Sequence, residues 1–455
     1  MDPTVLGPAQ FGANAIPLPL WALLALTLAS AVPLVFAWRA MRSNVARFVI
    51  VAIWLRIVFD GWAYLTLKSY GGIKPITLLS LATVAIGVLV VDRRAWLMKA
   101  VLPIYAIIAV LIASAVLNGV PTAFLDTSVR LIYLALLMLG AFLAMRHEGA
   151  ARFSAWLLVA FVPAFMLQLG SVALGVRRFT ERDNSAAYVG GFGHESAFAL
   201  LVIAFLVVVR FATRLGLSVR FGLILIACAS LLLANYRTAI IAVAPLVAWQ
   251  LAELTLSALQ KRYRNAALVV FAVLGMSVAG AAVVGGGERY ADVWQLASNA
   301  GTFLREPEDF NRADMQVGSG RSYLWSQYYY GWNRGGPMQH AIGQGPEASN
   351  TAFKVYAQNT LLAYLYETGI VGVILMLVLW VAMIWLAATA RWPERGYLLV
   401  AHLTFVVLNM STMPFEMIDG LVLVALLYGY TLYAHYAPRS RAASAPEPRL
   451  RAQLA

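Results

Sequence analysis

Apolar stretches of about 20 residues recur along almost the whole chain, and that recurrence decides what the chain can fold into. A membrane span needs roughly 20 mostly apolar residues. Such stretches lie near residues 17–38, 45–66, 75–91, 97–117, 124–145, 153–175, 192–209, 221–235, 237–254, 265–285, 360–388, 396–414 and 418–436. In lipid every backbone polar group must be satisfied within the segment, so stretches of this length are read as helices. The bulk figures agree: 61% of the 455 residues are hydrophobic and 12% charged, more apolar surface than one soluble core buries. The predicted fold class is an all-α integral membrane protein with about 12–13 transmembrane helices.

Residues 221–254 read either as one overlong helix or as two short spans. Arg210, Arg214 and Arg220 precede them and Lys261, Arg262 and Arg264 follow. Both flanks therefore look cytoplasmic, and an even number of crossings separates them, with Asn235, Tyr236, Arg237 and Thr238 at an outer turn. Counting on, the loops of the same side hold 20 of the 34 Lys and Arg residues. This predicts an N-terminus outside and a C-terminus inside. The net charge of +13 then reports topology, and a nucleic-acid partner is unnecessary. Segment 1–15 lacks a basic n-region and predicts a retained first span. The single Cys228 excludes an intrachain disulfide and reads as core filler. Four parts follow: ten helices in 1–285, an outer loop at 286–358, three helices in 359–436, and a disordered cytoplasmic tail at 437–455.

Polarity gathers on the outer side. The 286–358 loop is rich in Gly, Asn, Gln, Tyr and Trp, and a purposeless loop of that length is unusual. Its Tyr323, Trp325, Tyr328, Tyr329, Tyr330 and Trp332 suit either stacking on sugar rings or an interfacial aromatic belt. Arg177, Arg178, His194, Glu195 and Arg237 fall on the same side. Arg56 and Asp60, and likewise Asp126 and Arg130, are four residues apart, the spacing of a helical ion pair. Arg237 has no acid within helical reach in the sequence, and an arginine at membrane depth raises a functional hypothesis by default. Its planar guanidinium matches phosphate oxygens in a bidentate fork. Neither an internal repeat nor a phosphate-cradling Gly-rich loop of the Walker type appears, so transport readings gain no support.

An ordered series carries a resemblance: Tyr236-Arg237-Thr238-Ala239, Gly320-Arg321-Ser322, Gly343-Gln344-Gly345, then Gln358-Asn359 and Gly369-Ile370-Val371-Gly372. Over 190–372 this resembles the O-antigen polymerase and ligase superfamily. The resemblance implies a GT-C-like glycosyltransferase in a bacterial inner membrane, its long loop periplasmic, using undecaprenyl-diphosphate-linked glycans without a nucleotide sugar, metal or other cofactor. It implies that Arg237 and Arg321 hold the diphosphate, that Arg177 or Arg178 assists, and that Tyr236, Gln358 and Asn359 line the substrate. Ligases of this family usually carry His where Gln358 stands, and glutamine cannot act as a general base. Either this branch needs little base help because the diphosphate leaves readily, or a different residue takes the proton, the candidates being Glu367, His340 and His194, with Glu195 behind them. The substitution tilts the expectation from ligase, which transfers glycan to a lipid A core, to polymerase, which extends repeat units for O-antigen, capsule or exopolysaccharide. A chain-length regulator is a further expected partner. From another class, a lipid-linked glycan transporter would also carry membrane-depth arginines, but near the bilayer midplane.

Overall fold

The computed structural model describes residues 17–71, 74–120, 123–180, 185–266, 305–311, 314–315, 320–391 and 393–436. The expected leader 1–15 and tail 437–455 lie outside these residues. The long helices of the first part are α1 (Leu20–Ala40), α2 (Asn44–Gly61), α3 (Pro75–Val90), α4 (Leu102–Leu117), α5 (Phe124–Glu148) and α6 (Ala150–Ala173). Strands β1 (Arg178–Thr180) and β2 (Ser185–Ala187) then pair antiparallel, with Arg178 opposite Ala187. Helices α7 (Glu195–Phe211), α8 (Leu217–Ala234) and α9 (Arg237–Ala258) follow. Three short helices, α10 (Arg321–Asn333), α11 (Pro337–Ile342) and α12 (Ala348–Ala352), lead into α13 (Thr360–Ala388), α14 (Glu394–Asn409) and α15 (Ile418–Tyr436).

Among the described residues, eight helical runs are long and apolar enough to cross a membrane: α1, the run Lys99–Leu117 that contains α4, α5, α6, α8, α9, α13 and α15. The protein is thus a multi-pass, membrane-embedded helical protein. Four further expected spans are helical but shorter or more charged. Helices α3 and α14 have 16 residues each and α7 has 17, while α2 carries Arg47, Arg56 and Asp60 within 18. The expected span near 265–285 falls outside the described residues after its first two. The 221–254 question resolves as two helices, because Asn235 takes a left-handed φ of 52° and ends α8.

Every residue of α7 is buried. A helix apolar all round belongs inside, enclosed by other helices, and α7 packs against α8, α9 and α15, the last of which packs in turn on α5. The 286–358 segment, expected to connect two spans, is described only in part. Its described part folds as α10 to α12, which pack on α13 around a small second core of Leu324, Tyr328, Ala357, Ala363, Tyr366 and Met413. Tyr328 stacks on Phe353 with ring centroids 4.1 Å apart and is 1% exposed, so its ring is spent inside this core and is closed to a sugar.

The joint between that substructure and α13 is made of backbone. Gly369 (φ 65°, ψ −166°) breaks α13, and the break frees the carbonyls of Tyr366 and Glu367. They accept from the N–H groups of Gln344 at 2.8 Å and Gly345 at 3.2 Å, and Ser114 Oγ also donates to the Glu367 carbonyl at 3.0 Å. A Cβ on Gly343 would sit 2.2 Å from the Glu367 carbonyl carbon, and one on Gly369 2.4 Å from that of Ala341. Both positions have positive φ, so only glycine fits this approach.

Both expected ion pairs form, each with an additional partner distant in sequence. Arg56 Nε donates to Asp60 Oδ2 at 2.6 Å and lies 3.8 Å from Asp419 Oδ1 of α15. All three are buried, at 6%, 6% and 5% exposure. Arg130 bonds Asp126 and also Glu416, at 2.8 Å.

Candidate functional site

The site is built where the N-termini of α7, α9, α10 and α13 meet. Gln168 of α6 organises the first approach: its amide nitrogen Nε2 donates to the carbonyls of Tyr188 and Ser230, both at 2.9 Å, and Tyr188 N–H donates to the Leu233 carbonyl at 2.9 Å. The segment after β2 is thereby tied to the end of α8, beside the Asn235 turn that delivers Tyr236, Arg237 and Thr238. Arg178 donates to the Gly193 carbonyl, fixing the approach to His194.

His194 caps α7. Its Nδ1 accepts from Ser196 N–H at 3.1 Å, which puts the proton of a neutral ring on Nε2, 3.7 Å from Glu195 Oε1. Glu195 is 7% exposed, and its other oxygen, Oε2, has no hydrogen-bond partner among the described residues. A buried acceptor left open in this way is costly, and it marks a place where a donor is expected to arrive.

Arg321 opens α10 and bridges two distant segments. Its Nη2 donates to Thr238 Oγ1 and its Nε to Gln358 Oε1, both at 3.3 Å. Among the described residues both of these hydrogen-bond partners are neutral, so the guanidinium charge is held in place without being cancelled. Gln358 takes a left-handed φ of 51°, and the strained residue is the one that meets the arginine. Arg237, the first residue of α9, is half-buried next to Thr238. The phenols complete the neighbourhood. Burial pushes Tyr356 up to about 12, with Glu195 adding to the rise and Arg321 opposing it. Tyr236 is pushed up the same way, by burial first and then by Tyr356, again with Arg321 opposing and Glu195 adding.

The fold thus brings Arg178, His194, Tyr236, Arg237, Arg321 and Gln358 to one end of the bundle. It places Glu195, the reserve base of the sequence reading, in the same neighbourhood and adds Thr238 and Tyr356. Arg177 sits exposed beside Arg178. Asn359 serves as the N-cap of α13: its side-chain oxygen accepts from Leu361 N–H at 3.0 Å and Leu362 N–H at 3.2 Å, which leaves it a structural task.

Two expected bases lie elsewhere. Glu367 is eight residues beyond Asn359, roughly 12 Å along α13. It accepts from Ser349 Oγ and belongs to the neighbourhood of Glu347, Glu416 and Arg130. His340 Nε2 lies 3.0 Å from the Asn333 carbonyl, and its ring packs on Trp332, within the α10–α11 substructure. No group of three or more His, Cys, Asp or Glu side chains suited to a metal ion occurs among the described residues.

Fold and site together define a multi-pass α-helical membrane protein with a polar site, supplied with arginine, at one end of its bundle. No family model matches the chain, and no curated protein matches it.

Proposed function

We propose that the chain is a membrane glycosyltransferase of GT-C-like type that polymerises undecaprenyl-diphosphate-linked oligosaccharide repeat units at the periplasmic face of a bacterial inner membrane. The observation that carries this reading is Arg321 clamped between Thr238 and Gln358, both neutral, with the open oxygen of Glu195 in the same neighbourhood.

In the reaction, an acceptor hydroxyl attacks the anomeric carbon of the donor. The carbon–oxygen bond to the diphosphate breaks, and its electron pair leaves on the phosphate oxygen. Negative charge grows on that leaving group, and guanidinium groups already fixed in position stabilise it without reorganising. Arg321 and Arg237 supply that charge. Glu195 Oε2 takes the hydroxyl proton, with the His194 ring 3.7 Å from Oε1. Gln358 positions Arg321 and takes no proton, which favours polymerisation over transfer to a lipid A core.

The test is to purify wild type, Glu195→Gln and Arg321→Ala, confirm folding by gel filtration, and incubate each with undecaprenyl-diphosphate-linked repeat units. Wild type is expected to give a ladder of longer lipid-linked glycans and both variants none. A product that forms only when lipid A core is added makes the protein a ligase. Absence of product with either acceptor overturns the enzymatic reading.

A further inference from the structure

Three buried polar atoms in one part of the bundle have no hydrogen-bond partner among the described residues: Arg56 Nη1 on α2, Tyr133 Oη on α5 and Asp419 Oδ1 on α15. The three helices pack on one another, and Tyr133, buried to 1% exposure, shares the electrostatic neighbourhood of Arg56, Asp60 and Asp419. A buried polar atom left open is costly, and three in one neighbourhood call for a common partner.

The ion pairs do not supply it. Arg56 spends Nε on Asp60 Oδ2 at 2.6 Å, and its contact with Asp419 Oδ1, 3.8 Å from the same Nε, is beyond hydrogen-bond reach. A polar gap of that width is where a bridging molecule fits. The polarity of the three atoms says which molecule. Arg56 Nη1 can only donate, a carboxylate oxygen such as Asp419 Oδ1 can only accept, and a phenol such as Tyr133 does either. A metal cation would serve the two oxygens but leave the guanidinium N–H open and meet a like charge. An anion would serve Arg56 but meet two carboxylates. A molecule that both accepts and donates serves all three, and water is the smallest.

We infer that Arg56 Nη1, Asp419 Oδ1 and Tyr133 Oη hold one ordered water, which accepts from the arginine, donates to the carboxylate and bonds the phenol, and so joins α2, α5 and α15. About three protein partners is the usual number for a buried water. The joint lies behind the approach to His194. Gly61, next to Asp60, presents the carbonyl oxygen that a Cβ on Gly191 would meet at 2.4 Å, and Met417, two residues before Asp419, accepts from Ser196 Oγ at 3.7 Å. The water therefore braces the segment that carries the α7 cap, whatever reaction the neighbouring site performs.

The experiment uses the full wild-type chain in detergent. A short X-ray pulse makes hydroxyl radicals from water in place, a scavenger removes those formed in the bulk, and mass spectrometry reads the oxidation of each tyrosine. Tyr430 is the control, since it is as buried as Tyr133 and its hydroxyl already pairs with Ser154 at 2.6 Å. Tyr133 is expected to be oxidised several-fold faster than Tyr430 with the scavenger present, and equally fast when choline replaces sodium in the buffer. Oxidation of Tyr133 no faster than that of Tyr430, or abolished by the scavenger, overturns the inference. A fall in both Tyr133 oxidation and unfolding temperature on removing sodium also overturns it, because the occupant is then a metal cation.

Discussion

Two arginines of this molecule meet opposite company. Arg56 lies inside the bundle between two carboxylates, Asp60 and Asp419, while Arg321 lies at its end between a threonine hydroxyl and a glutamine amide. The first charge is consumed by the fold. Burying it alone would be prohibitive, so the protein surrounds it with acids. The second is oriented by neutral groups, which fix the guanidinium and leave its field available to an incoming anion. Reading an arginine in a membrane protein thus begins with the charge of its partners, before its depth.

The contrast can be broken most sharply at Arg56. Arg56→Ala leaves Asp60 and Asp419 buried without a cation, and we expect a loss of about 3–5 kcal/mol, read as a collapse in monodisperse yield and unfolding temperature. Should the variant fold normally, Arg56 is not consumed by structure and the contrast fails. Arg321→Ala is expected to do the reverse: unfolding within a degree or two of wild type, and glycan transfer lowered by roughly 10²–10³, the loss usual for one donor to a developing anion. Arg321→Lys keeps the charge without the fork, and a rate between those of wild type and Arg321→Ala would separate geometry from charge. The smallest effect is expected at Asn359→Ala, about 1 kcal/mol of stability from the lost cap, with transfer activity close to wild type on the protein that folds. A large activity loss there at unchanged stability would return Asn359 to the substrate.

The comparison also explains what could be read from the chain beforehand. The Arg56–Asp60 and Asp126–Arg130 pairs were legible because helical spacing is local, four residues apart. Asp419 and Glu416, which complete them, were not, since their partners lie hundreds of residues away and no periodicity connects them. Eight of the expected span positions were legible for the same local reason, and so was the break between α8 and α9. The structure of 320–358 was hidden: its Gly and aromatic content reads as loop, and its helices exist because α13 supplies a surface for Leu324 and Tyr328 to cover. The site was legible in half. Arg237, Arg321 and His194 stand out by type and place, yet only the fold shows that Glu195 rather than Glu367 shares their neighbourhood. Glu367 lies within the motif helix, about two turns beyond Asn359, and distance along a helix is easily mistaken for distance in space.

The glycine joint between Gly343 and Gly369 has a consequence for how such a protein can diversify. Because the contact between Gly343 and Gly369 is made by backbone atoms, that contact survives almost any replacement among the exposed residues around it. Arg321 and Gln358 ride on the two halves of this frame. Side chains can therefore be exchanged across α10 and its surroundings while Arg321 keeps its position, and on the proposed function the glycan recognised could change while the arginine stays in place.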